Sequence, residues 1–190
     1  PTRGRVINHL DRGAFLRYAG RMYDALHPAL HSGSAASSGA PRGLFCDSWE
    51  VETRRIWTRG FDSLFRAEYG YDIRPMMDSL YAPGFEGVHY DYMKLVSRLV
   101  LDNFYAPFTA SAHRRGAYTR VQCCGSPTDL LEAYARVDIP ESEAILYEPA
   151  FARIPASAAA LGGKPLVSSE TFTCIYGWKG WPGPGPHQGE

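Results

Sequence analysis

The sequence of 190 residues has only three lysines, Lys94, Lys164 and Lys179, and they are scattered along the chain. Acidic and basic residues balance at 20 each. Without a positive cluster, the chain lacks the electrostatic footprint that binds nucleic acid or an anionic membrane surface. No apolar run reaches the roughly 18 residues that a membrane-spanning helix requires. We therefore expect neither a nucleic-acid partner nor a membrane span.

Sequence motifs for several kinds of site are absent as well. The four cysteines, Cys46, Cys123, Cys124 and Cys174, include no CxxC pair, so we expect buried thiols rather than metal ligands. No glycine-rich phosphate loop, two-histidine metal motif or well-placed Ser and His nucleophile pair occurs. These absences argue against nucleotide binding, zinc chemistry and acyl transfer.

The chain does contain 45% apolar residues, enough for a core of single-domain size. Short apolar runs predict strands, while residues 137–149, interrupted by Pro140, fit either a strand or a loop. Strand and helix patterns alternate without hairpin signals, which predicts an α/β fold with a parallel sheet or barrel. The predicted strands cover residues 5–10, 43–51, 117–125 and 164–173.

Apolar residues at helical spacing predict the connecting helices. Asp11 is expected to cap the first helix and Pro28 to stop it, while Ser126 is expected to cap a later one. Gly70 predicts a left-handed helix stop, and Pro107 predicts a kink or break in a long helix. The remaining predicted helices cover residues 57–69, 90–116 and 151–161.

Polar side chains finish or follow the predicted strands, and a parallel sheet would bring them to one edge. Carboxylates, amides and a guanidinium beside aromatic rings suit a polyhydroxylated ligand, because hydroxyls need hydrogen-bond partners and the apolar face of a sugar packs on rings. A glycoside hydrolase is therefore the leading prediction. The set comprises Asn8, His9, Asp47, Trp49, Glu50, Arg120, Gln122 and Glu170.

These residues also have structural interpretations. Residues 43–51 could be a core strand that ends in an ordinary capped turn, and Glu170 could pair with an arginine. Trp57 fits the core of its helix better than a sugar contact. The acids of residues 138–143 fit either a solvated loop or a hard-cation site. A sugar isomerase or another barrel enzyme would use the same edge of the sheet.

Several blocks, in order, resemble the catalytic region of glycoside hydrolase family 106, the α-L-rhamnosidases: CDSWEV, WTRGF, EYGYDIRP, TRVQCCGSPTDLLEAYARVDIPESE and KPLVSSETFT. The resemblance covers residues 5–178. It implies a (β/α)8 TIM-barrel-type domain, a rhamnose-containing glycan as partner, inverting hydrolysis of terminal α-L-rhamnose, calcium as cofactor, and a secreted or periplasmic location. One block departs from the family, because Cys124 stands where members carry His, which puts a substrate contact in doubt.

The resemblance also implies roles for individual residues. Glu50 and Glu170 are the expected catalytic pair, with the order of acid and base left open. In an inverting glycosidase one carboxylic acid protonates the leaving oxygen and the other carboxylate activates water. The metal ligands stay undefined. The expected substrate-binding residues are His9, Asp47, Trp49, Arg120, Gln122, Glu141 and Glu143.

The chain is short for a complete barrel, which needs eight strands and about 250 residues. Because four or five strands are predicted here, we expect an incomplete barrel segment over residues 1–178 and a disordered Pro/Gly-rich tail over 179–190. The competing hypothesis is a catalytically silent fragment or a carbohydrate-binding segment of a larger barrel protein. A binding segment would retain rhamnosides without releasing product.

Overall fold

The computed structural model describes residues 6–31, 42–51, 53, 55–143 and 149–171. Its centre is a four-stranded sheet in the order β1-β2-β3-β4, and every neighbouring pair is parallel. The predicted arrangement of strands side by side in one direction is therefore confirmed. The strands are β1 (Arg42–Cys46), β2 (Ala117–Gln122), β3 (Ile139–Glu143) and β4 (Ser168–Glu170).

Helices connect successive strands, as parallel pairing requires. A π-helical turn at Leu101–Tyr105 connects two α-helices without a gap. Pro107 lies in the first turn of the second α-helix. Pro107 therefore does not divide the helix, which continues to His113, but the α-helical hydrogen bonding changes in the turn before it. The helices are α1 (Arg12–His31), α2 (Phe61–Tyr69), a 3₁₀ helix (Arg74–Ser79), α3 (Glu86–Val100), α4 (Ala106–His113), α5 (Leu130–Ala135) and α6 (Pro149–Leu161).

The two faces of the sheet differ in polarity. Thr119 and Val121 of β2 are fully buried, and the Thr109 hydroxyl of α4 lies 3.2 Å from the Thr119 hydroxyl, so the helices pack on this face. Phe45 and Arg120, which are register partners on β1 and β2, lie on the other face and are about half exposed. The polar face is therefore the one open to a ligand.

Local signals at helix ends were predicted with mixed success. The Asp11 carboxylate accepts from the Ala14 backbone N–H at 3.0 Å, and Gly70 ends α2 at φ 81°, both as predicted. Pro28 does not stop α1, which continues to His31, because a proline near the end of a helix removes only one backbone bond. Asp129 rather than Ser126 caps α5, because its carboxylate accepts from two backbone N–H groups.

The predicted strand at 5–10 is wrong over the residues that the structure describes. Residues 6–8 are irregular and 9–10 form a turn. The Asn8 side chain accepts from the Leu10 backbone N–H at 3.1 Å, which stabilises a turn in place of strand pairing. By contrast, the ambiguous segment around Pro140 is a strand.

The fold is mixed α/β with a parallel sheet, as predicted, but the sheet is open in the described part of the chain and is not a closed barrel. No described helix is long and apolar enough to cross a membrane. The predicted tail at 179–190 and Cys174 lie outside the described residues. Burial raises the pKa of Cys46 to about 11 and also raises that of Cys123, as expected for inert thiols.

Candidate functional site

Acidic side chains meet at the carboxyl edge of the sheet. Asp47 directly follows β1, Glu143 ends β3 and Glu170 ends β4. Glu143 and Glu170 are register partners, so adjacent parallel strands bring them side by side. One carboxylate oxygen from each of the three acids lies within 4.8 Å of the others. Together with Glu50, they form what we call the acid rim.

The electrostatics of Glu143 show how crowded the acid rim is. Burial raises the pKa of Glu143, and the neighbouring charges of Glu170, Asp47 and Glu50 raise it further, while a hydrogen bond with Ser48 opposes the shift. All four acids therefore share one electrostatic neighbourhood. Like charges this close favour a bound proton or cation, because ionising every carboxyl at once is unfavourable.

A polar cleft of about 430 Å³ opens beside the acid rim on the exposed face of the sheet. The Arg120 guanidinium lies 4.6 Å from the centre of the Phe45 ring, which places a cation and an apolar surface side by side. The cleft thus offers charged, amide and aromatic contacts together. It is lined by Phe45, Asp47, Arg120, Gln122, Glu141, Ser169, Glu170 and Thr171.

Glu141 lies inside this cleft but is bonded by the protein itself. Its Oε1 accepts from Gln122 Nε2 at 3.0 Å, while its Oε2 accepts from Ser168 Oγ at 2.5 Å and faces Arg120 Nε at 3.0 Å. Gln122 Nε2 also donates to Glu170 Oε2 at 2.8 Å. Glu141 and Gln122, both predicted binding residues, therefore connect the cleft to the acid rim through hydrogen bonds.

His9 and Trp49 lie against each other, with ring centroids 4.4 Å apart, beside Phe104. Burial lowers the pKa of His9 to about 4, so its ring is neutral at pH 7. His9 and Glu50 line a second, apolar cleft of about 540 Å³ between α1 and the outer side of β1. The Trp49 backbone N–H donates to the Cys124 carbonyl at 2.9 Å, which holds the loop after β1 in place.

The structure thus brings seven of the nine predicted site residues to one edge of the sheet. Of the other two, His9 lines the adjoining apolar cleft and Trp49 packs against His9. Of the acids at residues 138–143, Asp138 lies away from this edge. Asp138 precedes β3 and contacts His113 at the opposite end of the strand. The predicted place of Trp57 in the core of a helix is wrong, because Trp57 precedes α2 and is 39% exposed, with its ring on Phe61 at a centroid distance of 4.6 Å.

Phe45 was missed by sequence reasoning, although it lines both clefts. The signal was available, because residues two apart on a strand share a face and Phe45 lies two positions before Asp47. Ser48 was also missed. Its contact with Glu143 depends on how the loop after β1 folds over β3, and nothing in a single sequence reports such a contact.

Comparisons with known proteins identify the family of this chain. The model of the alpha-L-rhamnosidase family, glycoside hydrolase family 106, matches residues 2–183. A putative beta-glucuronidase from Formosa agariphila is 31% identical over 144 residues, covering 70% of this chain and 12% of that protein. The structure of a rhamnosidase from Novosphingobium sp. PP1Y superposes with a TM-score of 0.66 at 23% identity, covering 88% of this chain and 18% of that one.

The chain therefore spans less than a fifth of the length of either relative. Its match to the family model nevertheless extends over nearly all of its residues, including every member of the acid rim. The likeness to the solved rhamnosidase supports the same fold, with helices packed on a parallel sheet. This chain belongs to glycoside hydrolase family 106, the alpha-L-rhamnosidase family.

Proposed function

We propose that the acid rim is part of a glycosidase active site that hydrolyses terminal α-L-rhamnosides with inversion. The observation that carries this proposal is the convergence of Asp47, Glu143 and Glu170 within 4.8 Å, with Glu50 near enough to raise the pKa of Glu143. A carboxyl group with a raised pKa, such as that of Glu143, is frequent beside clefts that carry out acid and base catalysis. Membership of an α-L-rhamnosidase family supports the choice of sugar.

Glu50 and Glu170 are the proposed catalytic pair. One carboxylic acid gives its proton to the glycosidic oxygen as the bond to the anomeric carbon breaks, and the other carboxylate takes a proton from the attacking water. Glu170 accepts a hydrogen bond from Gln122, which suits the base. Glu50, which borders the apolar cleft, is then the proposed acid.

The polar cleft supplies the proposed sugar contacts. Arg120 and Gln122 offer polar groups to hydroxyls, and the exposed Phe45 ring offers a surface to the apolar side of a deoxy sugar. Asp47 and Glu143 add carboxylates that accept from hydroxyls. His9 and Trp49 would contact the part of the substrate that extends towards the apolar cleft.

Calcium is the proposed cofactor, and Asp47 and Glu143 are the residues that would hold it, so that Glu170 stays available as the proposed base. The fit is good, because calcium takes several carboxylate oxygens at 2.3–2.6 Å each, and oxygens within 4.8 Å of one another can share one such ion. A bound cation would neutralise the crowded acids and coordinate sugar hydroxyls. It would also reverse the cause that raises the pKa of Glu143.

Release of nitrophenol from a nitrophenyl α-L-rhamnoside tests the hydrolase. We expect Glu50→Gln and Glu170→Gln each to lower kcat by about 10²–10⁴-fold, the usual contribution of general acid or base catalysis. Glu132→Gln, the same change at an exposed position on α5, is the matched control. Full activity in both catalytic variants would refute the pair, and proton NMR of the first anomer released tests inversion.

The same preparation distinguishes the alternative function. The sheet is open in the part of the chain that the structure describes, and the chain spans less than a fifth of its relatives, which favours a binding segment of a larger enzyme. Rhamnose binding without product would support that alternative. Calorimetry with calcium tests the cofactor, and we expect Glu143→Gln to weaken calcium binding about tenfold or more, because one of the two charged ligands is lost.

A further inference from the structure

We propose that Glu141 is a positioning residue that sets sugar specificity, by fixing the amide direction of Gln122 and by engaging the charge of Arg120. The cleft would then bind a neutral sugar hydroxyl in preference to a sugar carboxylate. This inference rests on the proposed function of the acid rim. It gives Glu141 a role different from the direct substrate contact expected from the sequence.

The first step of the argument is that Glu141 has little capacity left for a ligand. It is only 4% exposed, and it already contacts donors from Gln122, Ser168 and Arg120. A carboxylate offers about four acceptor positions, so three are occupied by the protein. Glu141 therefore acts on a substrate through the side chains that it holds.

The second step concerns the direction of the Gln122 amide. Gln122 is 1% exposed and its Nε2 donates to two carboxylates, Glu141 and Glu170. Reversing the amide would point its oxygen at both negative charges, so the two carboxylates fix its orientation. Neutralising Glu141 would remove one of the two constraints.

The third step is that this orientation leaves Gln122 Oε1 buried without a hydrogen-bond partner among the described residues. A buried acceptor left without a donor is unfavourable, and such a group calls for a specific partner. Because Gln122 lines the polar cleft, a sugar hydroxyl that displaces the atoms covering Oε1 would provide the missing donor. A carboxylate cannot, because it has no proton to give at neutral pH.

The fourth step concerns Arg120, the natural partner for a uronic acid. Its Nε faces Glu141 at 3.0 Å and its guanidinium lies over the Phe45 ring. The positive charge is thus balanced inside the protein, while Asp47, Glu143 and Glu170 repel an anion nearby in the calcium-free protein, on which the test is made. A glucuronide would meet net negative charge, although one relative is named a putative beta-glucuronidase.

The test compares binding of methyl α-L-rhamnoside and of glucuronate, measured by calorimetry on the full chain. We expect the unaltered protein to prefer the rhamnoside. Glu141→Gln should lose about tenfold in rhamnoside affinity, the value of roughly one good hydrogen bond, and should gain affinity for glucuronate because Arg120 is released. Glu132→Gln should behave like the unaltered protein.

A second variant guards against a folding defect in Glu141→Gln. Gln122→Met removes the proposed acceptor and should lose about the same rhamnoside affinity while leaving glucuronate binding unchanged. Combined with Glu141→Gln, it should add no further rhamnoside loss, because the two residues act in series. Additive losses, or an unchanged preference in Glu141→Gln, would overturn the inference.

One measurement separates failure of this inference from failure of the proposed function. The Gln122 side-chain amide protons should exchange slowly with solvent in NMR spectra of the sugar-free protein, and faster in Glu141→Gln. If no sugar binds but this difference is seen, the positioning by Glu141 stands and the rhamnoside function fails. Equal exchange in the two proteins would overturn the positioning itself.

Discussion

The two ends of β3 place acidic residues in opposite surroundings. Asp138, just before the strand, accepts from the Thr119 backbone N–H at 2.7 Å and the Thr119 hydroxyl at 3.1 Å, and lies 2.9 Å from His113 Nε2. Glu143, at the other end, faces three further carboxylates. The amino end of the sheet thus satisfies its acid with donors from the protein, whereas the carboxyl end leaves acids available to a ligand.

The pKa values follow this difference. Burial alone raises the pKa of Asp138, but the hydrogen bonds from Thr119 and His113 outweigh it and lower the pKa below its usual value. Burial also raises the pKa of Glu143, and there the neighbouring charges add to the effect. Burial acts on both pKa values in the same direction, so the neighbours decide the direction of each net shift. Asp138 thus contributes to stability at the amino end of β3, whereas Glu143 at the carboxyl end has no such set of donors.

Glycines at the two ends offer the largest expected effect. Gly125 follows β2 at φ 72°, and an added Cβ would lie 2.8 Å from the Trp49 carbonyl oxygen. Gly163, before β4 at φ 61°, has open space around it. We expect Gly125→Ala to cost about 3 kcal/mol and Gly163→Ala about 1 kcal/mol in urea unfolding, because only the first adds a clash to the left-handed strain. Equal losses would contradict this account of the loop after β1.

Removing the satisfied acid should have the next largest effect. Asp138→Ala leaves the Thr119 backbone N–H and the His113 ring without their acceptor, and we expect a loss of about 2 kcal/mol in the free energy of unfolding. Rhamnoside binding should be unchanged, because Asp138 lies at the opposite end of the strand. A binding defect larger than the stability defect would show that the two ends are coupled.

The crowded acid should give the smallest effect, with the opposite sign. Because the pKa of Glu143 is raised on folding, its contribution to stability is present below its ordinary pKa and is lost as pH rises through the raised value. At pH 7 without metal, Glu143→Gln should therefore stabilise the fold by about 0.5 kcal/mol. The measurement is unfolding at a series of pH values, in which the variant should lack the decline between mildly acidic and neutral pH.

The Asp138 carboxyl gives the complementary pH test. Its pKa is lowered on folding, so its contribution is present above the ordinary pKa of an aspartate and is lost as pH falls through the lowered value. Unfolding of Asp138→Asn should show less of this acid-side loss than the unaltered protein. A similar acid-side loss in both would show that Asp138 contributes little to it.

The sequence predicted the layout of the sheet better than its details. Alternating apolar runs and helical patterns were sufficient for parallel strands, and hence for Glu50 and Glu170 at one edge. The strand at 5–10 was mispredicted because the competing Asn8 turn depends on a side-chain hydrogen bond. Periodicity alone does not distinguish a short apolar run that forms a turn from one that forms a strand.

Within the site, residue types were predictable but their partners were not. Glu141 and Glu143 lie two positions apart on one strand, yet one is surrounded by donors and the other by acids. That outcome depends on register, which pairs Glu141 with Gln122 and Ser168 but pairs Glu143 with Glu170. Register arises from packing across the whole sheet, so one sequence does not reveal which acid stays available.

Side chains alternate between the two faces of the sheet along β3, so the site depends on the number of residues that precede Glu141 in the strand. Loss of a single codon between Asp138 and Glu141 would shift the residues that follow by one place and turn each to the other face. Ser142 would then project into the cleft. Glu141 and Glu143 would enter the helix layer, in which Thr119 and Val121 are fully buried. A substitution at the same place changes one contact, whereas this deletion would remove the site and the fold together.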